Sequence, residues 1–245
     1  MTTNDAPAAT PPFWGTCILD PIPLHEVEAF LDTEKLFASR WQFRQGQDAA
    51  SWVRLREEKA APILARILAQ HAGTFTPKII YGYFRCERQG NGLIVHGEHR
   101  ALRFDFPRER AAPNRCVADF FAKGVIAIQL ATVGKDVVAL SAAEFATHRY
   151  SEAFYLKGLA AELAEATAAY GHARIRRELG AAEGDGARLS PGYPSFPDLL
   201  AQKKIAALLA PARIGVALTE TCQLVPEYST TAIISVDPRA QYFRP

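Results

Sequence analysis

KIIYGYFRCERQGNGLIVHG, Lys78 to Gly97, is the stretch on which the fold turns. Two β-rich runs, KIIYGYF (Lys78 to Phe84) and GLIVHG (Gly92 to Gly97), flank the polar segment RCERQGN, which reads as the turn of a β-hairpin. ALRFDFPRE follows and alternates apolar with polar side chains, as a half-exposed strand does. Strands this close in sequence pair antiparallel, because a parallel pair needs a long crossover.

Upstream, residues 48–71 read as a helix carrying Trp52 and Leu55, and IPLHEVEAFLD places Leu24, Val27, Phe30 and Leu31 on one helical face. Downstream, Asn114 to Phe121 shows no clear preference, whereas GVIAIQLATVG is the strongest strand of the chain. A long helix is expected from about Ser141 to Leu179, broken near Thr147 to Tyr150, with Tyr155, Leu159, Leu163, Ala166 and Tyr170 as its apolar stripe. Glu165 and His172, seven residues apart, project from a common flank of that helix. EGDG ends it, a second helix covers Asp198 to Leu209, and STTAIISVD alternates like a strand. Antiparallel hairpins mixed with long helices indicate an α+β fold rather than a parallel doubly wound sheet.

The bulk properties exclude several classes. A net charge of +2 leaves no general basic footprint for nucleic acid. No apolar run reaches the length of a membrane span, and the start, MTTNDAPAATPP, lacks the pattern of a signal peptide. Residues 1–10 are read as a flexible tail, residues 11–245 as one domain, and the location as cytoplasmic. Cys17, Cys86, Cys116 and Cys222 form no CxxC pair, which points to reduced core thiols rather than a zinc site. The chain has no dinucleotide fingerprint, phosphate loop, zinc-protease helix or nucleophile elbow. His96 and His99 are read as solvated, and ARIRREL (Ala173 to Leu179) as a charged helix end favoured by the helix dipole.

ARLSPGYP, Ala187 to Pro194, is the segment with ligand chemistry. Pro191 and Pro194 stiffen the backbone around Gly192-Tyr193, and Gly192 lets that backbone approach a ligand closely. Arg188 offers a fork suited to a carboxylate, and Tyr193 a ring and a hydroxyl. Taken alone, the segment reads more simply as a rigid surface turn with a solvated arginine. Glu165 gains significance only if this loop folds back over the long helix; Glu220 and Tyr242 have the same standing.

Several stretches, in order, resemble the reactivation domain of cobalamin-dependent methionine synthase. They are PPFWGT, IPLHEVEAFLDTEKLFASRWQFR, YGYF, FDFPRE, RCVADFFA, LKGLAAELAEATAAYGHARIRRELG, ARLSPGYPSFPDL and IGVALTETCQLVPEYSTTAIISVDPRAQYF. The set runs from about Pro11 to Phe243. It implies a C-shaped α+β domain around a twisted antiparallel sheet flanked by helices. In that family the domain binds S-adenosylmethionine (AdoMet) and docks over a cobalamin-binding module. It supports reductive methylation of oxidised cobalamin, with an electron from a flavodoxin-like donor.

By position, the resemblance implies that Arg188 holds the AdoMet carboxylate and that the Leu189 backbone, Gly192 and Tyr193 line the site. Glu165 borders it from the helix, and Tyr242 stands at its other edge. No catalytic side chain and no metal ligand is implied. The family's acidic residue before the aromatic-proline stretch is replaced here by Ala8-Ala9-Thr10. The homocysteine, folate and cobalamin modules do not fit in 245 residues, so the resemblance implies a free-standing subunit serving its cobalamin module in trans. PPFWG and the exposed part of VPEYST are candidate docking residues. Two other readings stand beside it: a corrinoid-protein capping module without AdoMet binding, and a reactivation partner of another corrinoid methyltransferase.

Overall fold

The strand that begins at Lys78 does not stop at Phe84. In the computed structural model, which describes residues 10–44, 46, 48–121 and 124–245, it continues to Gln89, and Gly90-Asn91 alone make the turn. RCERQ is therefore strand rather than turn. Arg85 and Glu87 face solvent while Phe84 and Cys86 are buried, the alternation a strand with one wet face requires.

In chain order the elements are β1 (Gly15–Leu19), α1 (Leu24–Glu28), α2 (Thr33–Lys35), α3 (Ala49–Leu55), α4 (Ala61–His71), β2 (Lys78–Gln89), β3 (Gly92–His96) and β4 (Ala101–Asp105). They continue with β5 (Val125–Thr132), α5 (Asp136–Ala146), α6 (Tyr150–Glu178), β6 (Ala187–Leu189), α7 (Ala201–Leu209), β7 (Ala217–Leu218), β8 (Leu224–Val225) and β9 (Ser229–Ser235). The helix expected over residues 48–71 is present as α3 and α4 joined through a π-helical turn, Arg56–Ala60. The Asp48 side chain caps its start by accepting the Ser51 N–H at 2.8 Å.

Other boundaries differ from the sequence pattern. α1 ends before Phe30 because Asp32 starts α2, its carboxylate accepting the Lys35 N–H at 2.9 Å. α7 begins at Ala201, since Asp198 instead holds a turn through the Leu200 N–H. The break between α5 and α6 falls at Thr147 to Arg149, as the sequence suggests, but α5 starts earlier, at Asp136. The tail read for residues 1–10 falls almost wholly outside the described residues.

Among the described residues seven strands form one antiparallel sheet, ordered β4-β3-β2-β5-β9-β6, with β1 also on β2. β2 changes partner along one edge: β1 pairs with it up to Gly15↔Tyr83, and β3 takes over at Arg85↔His96. α6 covers one face over Ile79, Tyr81 and Tyr83, and α7 packs on the other with Ile80 and Ile128. With both faces covered, β9 is buried from Thr231 to Ser235 rather than alternating.

α6 is seated on the sheet closely enough to require Gly171. A Cβ there would lie 2.7 Å from Gln129 Oε1 and 2.9 Å from Ile79 Cδ1. Besides Glu152, which takes Arg66 of α4 at 2.6 Å, three carboxylates of α6 fix it to its surroundings. Buried Glu162 takes Lys35 at 3.0 Å and Arg40 at 2.7 Å, which ties the Leu36–Arg40 turn to the helix. Glu178 accepts the Tyr81 and Tyr83 hydroxyls at 3.0 and 2.8 Å and the Arg174 guanidinium at 2.8 Å. The third is Glu165. Among the described residues no helix is long and apolar enough to cross a membrane.

Candidate functional site at the β6 edge

β6 is three residues long and pairs with β9 through Arg188↔Ile234 and Leu189↔Ile233. Alternation sends Leu189 into the α7-side core, where it is fully buried, and turns Arg188 toward α6. There Arg188 Nη2 lies 3.3 Å from Glu165 Oε2, so the loop does fold back over the helix. Their side chains remain 25% and 39% exposed, which makes this a weak ion pair of under about 1 kcal/mol. Arg188 can exchange such a partner for a ligand carboxylate at little cost.

The PGYP turn is built to a fixed shape. Gly192 has φ +93°, a left-handed conformation that suits glycine, and its N–H donates to Phe196 O at 2.8 Å. The Phe196 N–H returns a bond to Tyr193 O at 2.8 Å. Phe196 anchors the turn, its ring buried 4.9 Å from that of Phe106. Tyr193 is left exposed, with its ring 4.9 Å from Tyr242 at a tilt of 38°. The Tyr242 hydroxyl accepts the Ser190 N–H at 2.8 Å, clamping the C-terminal segment to the loop. Burial raises the Tyr242 phenol above its ordinary pKa.

Arg188, Glu165, Tyr193 and Tyr242 are thus brought to one end of the sheet, with Gly192 shaping the turn. Leu189 can meet a ligand only through its backbone, since its side chain is in the core. Glu220 is exposed between β7 and β8, with no partner among the described residues that would assign it a role. His172 belongs to the same neighbourhood. Its Nε2 is buried without a hydrogen-bond partner among the described residues, and its pKa is pushed down to about 4 by burial, then by the charges of Arg176 and Arg188. The seven-residue spacing from Glu165 was the signal for it. The Tyr193–Tyr242 stack, between residues far apart in the chain, has no counterpart in local sequence pattern.

Around the rings, Leu199 and Leu200 are more than half exposed, so the site has an apolar rim. Among the described residues no group of three His, Cys, Asp or Glu side chains is placed to hold a metal. A cation beside a carboxylate, close to two phenol rings in tilted contact, offers charges and π faces complementary to those of a zwitterionic ligand.

An α+β sheet domain with a polar-aromatic site at one sheet edge is the class these features define. The family model for the vitamin B12-dependent methionine synthase activation domain matches residues 23–244. The chain therefore belongs to the activation-domain family of vitamin B12-dependent methionine synthases. It is 32% identical to a methionine synthase of Mycobacterium tuberculosis and 31% identical to one of Mycobacterium leprae, over 98% of this chain in both cases. The chain spans 23% of the length of each of these relatives. A crystal structure of the MetH reactivation domain bound to AdoHcy superposes with a TM-score of 0.82 at 22% identity, covering 100% of this chain and 85% of that one. The fold is the reactivation-domain fold.

Proposed function

We propose that the chain, acting as one module over residues 11–245, binds AdoMet at the β6 edge. There it presents the sulfonium methyl to a cobalamin-binding module of methionine synthase, met in trans. A flavodoxin-like donor supplies the electron, and the bound cobalamin of the partner supplies the methyl-accepting cobalt. The chain's own residues do the rest of the work by position.

The observation that carries this reading is the Arg188–Glu165 pair beside the Tyr193–Tyr242 stack. AdoMet carries a carboxylate, an ammonium group, a sulfonium and an adenine ring, and the side chains present fit all four. The Arg188 fork matches the carboxylate, and Glu165, released from Arg188, matches the ammonium group. The two phenol rings offer π faces to the sulfonium and the adenine. Family membership and the AdoHcy complex of the fold neighbour support the same assignment. The apolar rim of Leu199 and Leu200 supports a docking face next to the site, and exposed Val225 of the VPEYST stretch is a further candidate docking residue.

Calorimetric titration of AdoMet tests the proposal. Saturable binding is expected, weakened by about 2 kcal/mol or more in Arg188→Ala, as for loss of a charged hydrogen-bond partner. Absence of AdoMet binding, both alone and with a purified cobalamin module added, would overturn it. Complex formation with that module in the absence of AdoMet binding would favour the capping role instead.

A further inference from the structure

We propose that the cavity at the split edge of β2 is a second ligand site, for a phosphate-bearing molecule with a planar ring and the size of a mononucleotide. The inference does not rest on the AdoMet reading. Because β1 pairs up to Tyr83 and β3 only from Arg85, the sheet edge opens at Phe84. Trp14 and Gly97 flank the gap, the C-terminal end of α7 closes it, and the cavity behind it has a volume of about 910 Å³. That is the size range of small-molecule sites.

Three arginines from three separate elements line this cavity: Arg85 of β2, Arg100 of the β3–β4 turn and Arg213 of the short helix after α7. Among the described residues none of the three has a carboxylate partner within 4.0 Å, although the chain pairs many of its other arginines. One carboxylate, Glu98, lies on the wall, and Glu87 beside it is engaged by His96 at 3.2 Å. The cavity therefore keeps a surplus of positive charge, and such a cleft draws in anions. Two of the guanidinium groups are already oriented. Arg213 Nη1 donates to Thr16 Oγ1 at 2.8 Å, and Arg85 stacks 4.6 Å above the Trp14 ring.

Arginine forks match phosphate oxygens in the plane of the guanidinium. The remaining surface is the half-exposed Trp14 ring with Leu102 and Leu208, an apolar wall suited to a planar ring. Cations and an aromatic wall in one cavity select a ligand with both features. The site is distinct from the β6 edge. Gly15 and Arg188 lie on one row of the sheet, through Tyr83, Ala127 and Ile234, so four strand spacings of about 4.8 Å each separate them.

Titration with uridine 5′-monophosphate, uridine and inorganic pyrophosphate, followed by calorimetry and by tryptophan fluorescence, tests the assignment. Trp14 is the exposed tryptophan, Trp41 and Trp52 being buried, so the emission change belongs to it and disappears in Trp14→Phe. The expected result is one-to-one binding of the monophosphate, with uridine at least tenfold weaker. Arg85→Ala and Arg213→Ala should each weaken it at least tenfold, and Arg188→Ala should leave it unchanged. Arg85 and Arg213 are exposed, so their alanine variants should melt like the parent, and Arg213→Lys should recover part of the loss. Failure of both the monophosphate and pyrophosphate to saturate overturns the proposal. So does binding that Arg85→Ala and Arg213→Ala leave intact, or that Arg188→Ala abolishes.

Discussion

Glu165 and Glu178 stand thirteen residues apart on α6, about 20 Å along its axis, and the sheet holds each from a different strand. Glu165 meets Arg188 on the edge strand β6, and Glu178 meets Tyr81 and Tyr83 on β2. The two contacts differ in kind. The Glu178 cluster is largely enclosed, and burial first, then Glu178, raises the Tyr83 phenol well above its ordinary range. The Glu165 contact is about one-third open to solvent, its own carboxylate side chain being 39% exposed against 19% for Glu178.

The contrast gives a paired expectation. Glu178→Gln removes the charge from three hydrogen bonds and should cost about 2 kcal/mol in urea unfolding. Glu165→Gln should change stability by less than about 1 kcal/mol, while weakening AdoMet in calorimetry. Equal losses of stability from the two variants would contradict this division between a structural and a ligand-facing carboxylate.

Glu162 is a harsher case. Its side chain is 1% exposed and serves both Lys35 and Arg40. Glu162→Gln leaves two cations without their counter-charge and should lower stability by about 2–4 kcal/mol, read as a shift of the urea midpoint at unchanged slope.

His172 sets an acid limit. Its pKa is held at about 4, against an ordinary 6.5, by burial and by Arg176 and Arg188. As pH falls, the unfolded chain takes up this proton first. The contribution of the neutral imidazole is therefore full above about pH 6.5, declines between about 6.5 and 4, and is flat below. The decline amounts to about 3 kcal/mol. It should appear as the pH dependence of the difference in unfolding free energy between the parent and His172→Gln.

The clamp between Tyr242 and Ser190 predicts a loss of affinity with little loss of stability. Tyr242→Phe keeps the ring against Tyr193 but leaves the Ser190 N–H without its acceptor. AdoMet binding should weaken three- to tenfold, roughly the worth of one neutral hydrogen bond, with a melting temperature close to that of the parent.

The thiols should separate by accessibility. Burial pushes Cys86 up to about 12 and also raises Cys116, while Cys17 is only partly buried. Iodoacetamide applied to the folded protein should label Cys17 first, and mass mapping should find Cys86 and Cys116 modified only after denaturation.

Much of this was legible in the sequence because it is written in local periodicity. The helix broken before Tyr150, the strand at Val125–Thr132 and the helical rod after Asp48 all follow from spacing within a dozen residues. RCERQ misled because polar residues at alternate positions resemble a turn until the facing strand is known. Glu165 and Arg188 could be named from the family resemblance, but their meeting depends on the loop returning over α6. The convergence of Arg85, Arg100 and Arg213 left no trace at all, since each is an ordinary surface arginine until the sheet edge splits between them.

The placement of β6 has a consequence for the order in which the molecule is completed. The strand carrying Arg188 finds its sheet neighbour in β9, about forty residues further along the chain, and β9 must also reach back about a hundred residues to β5. Pairings that distant are slow to close, because the entropy of the intervening loop is spent before any contact rewards it. α6 and the β2–β3 hairpin, built from near neighbours, can form while the end of the chain is still free. Arg188 takes its place only after the last strand has slotted in, so ligand binding should be the final property recovered on refolding, after the helical signal has returned.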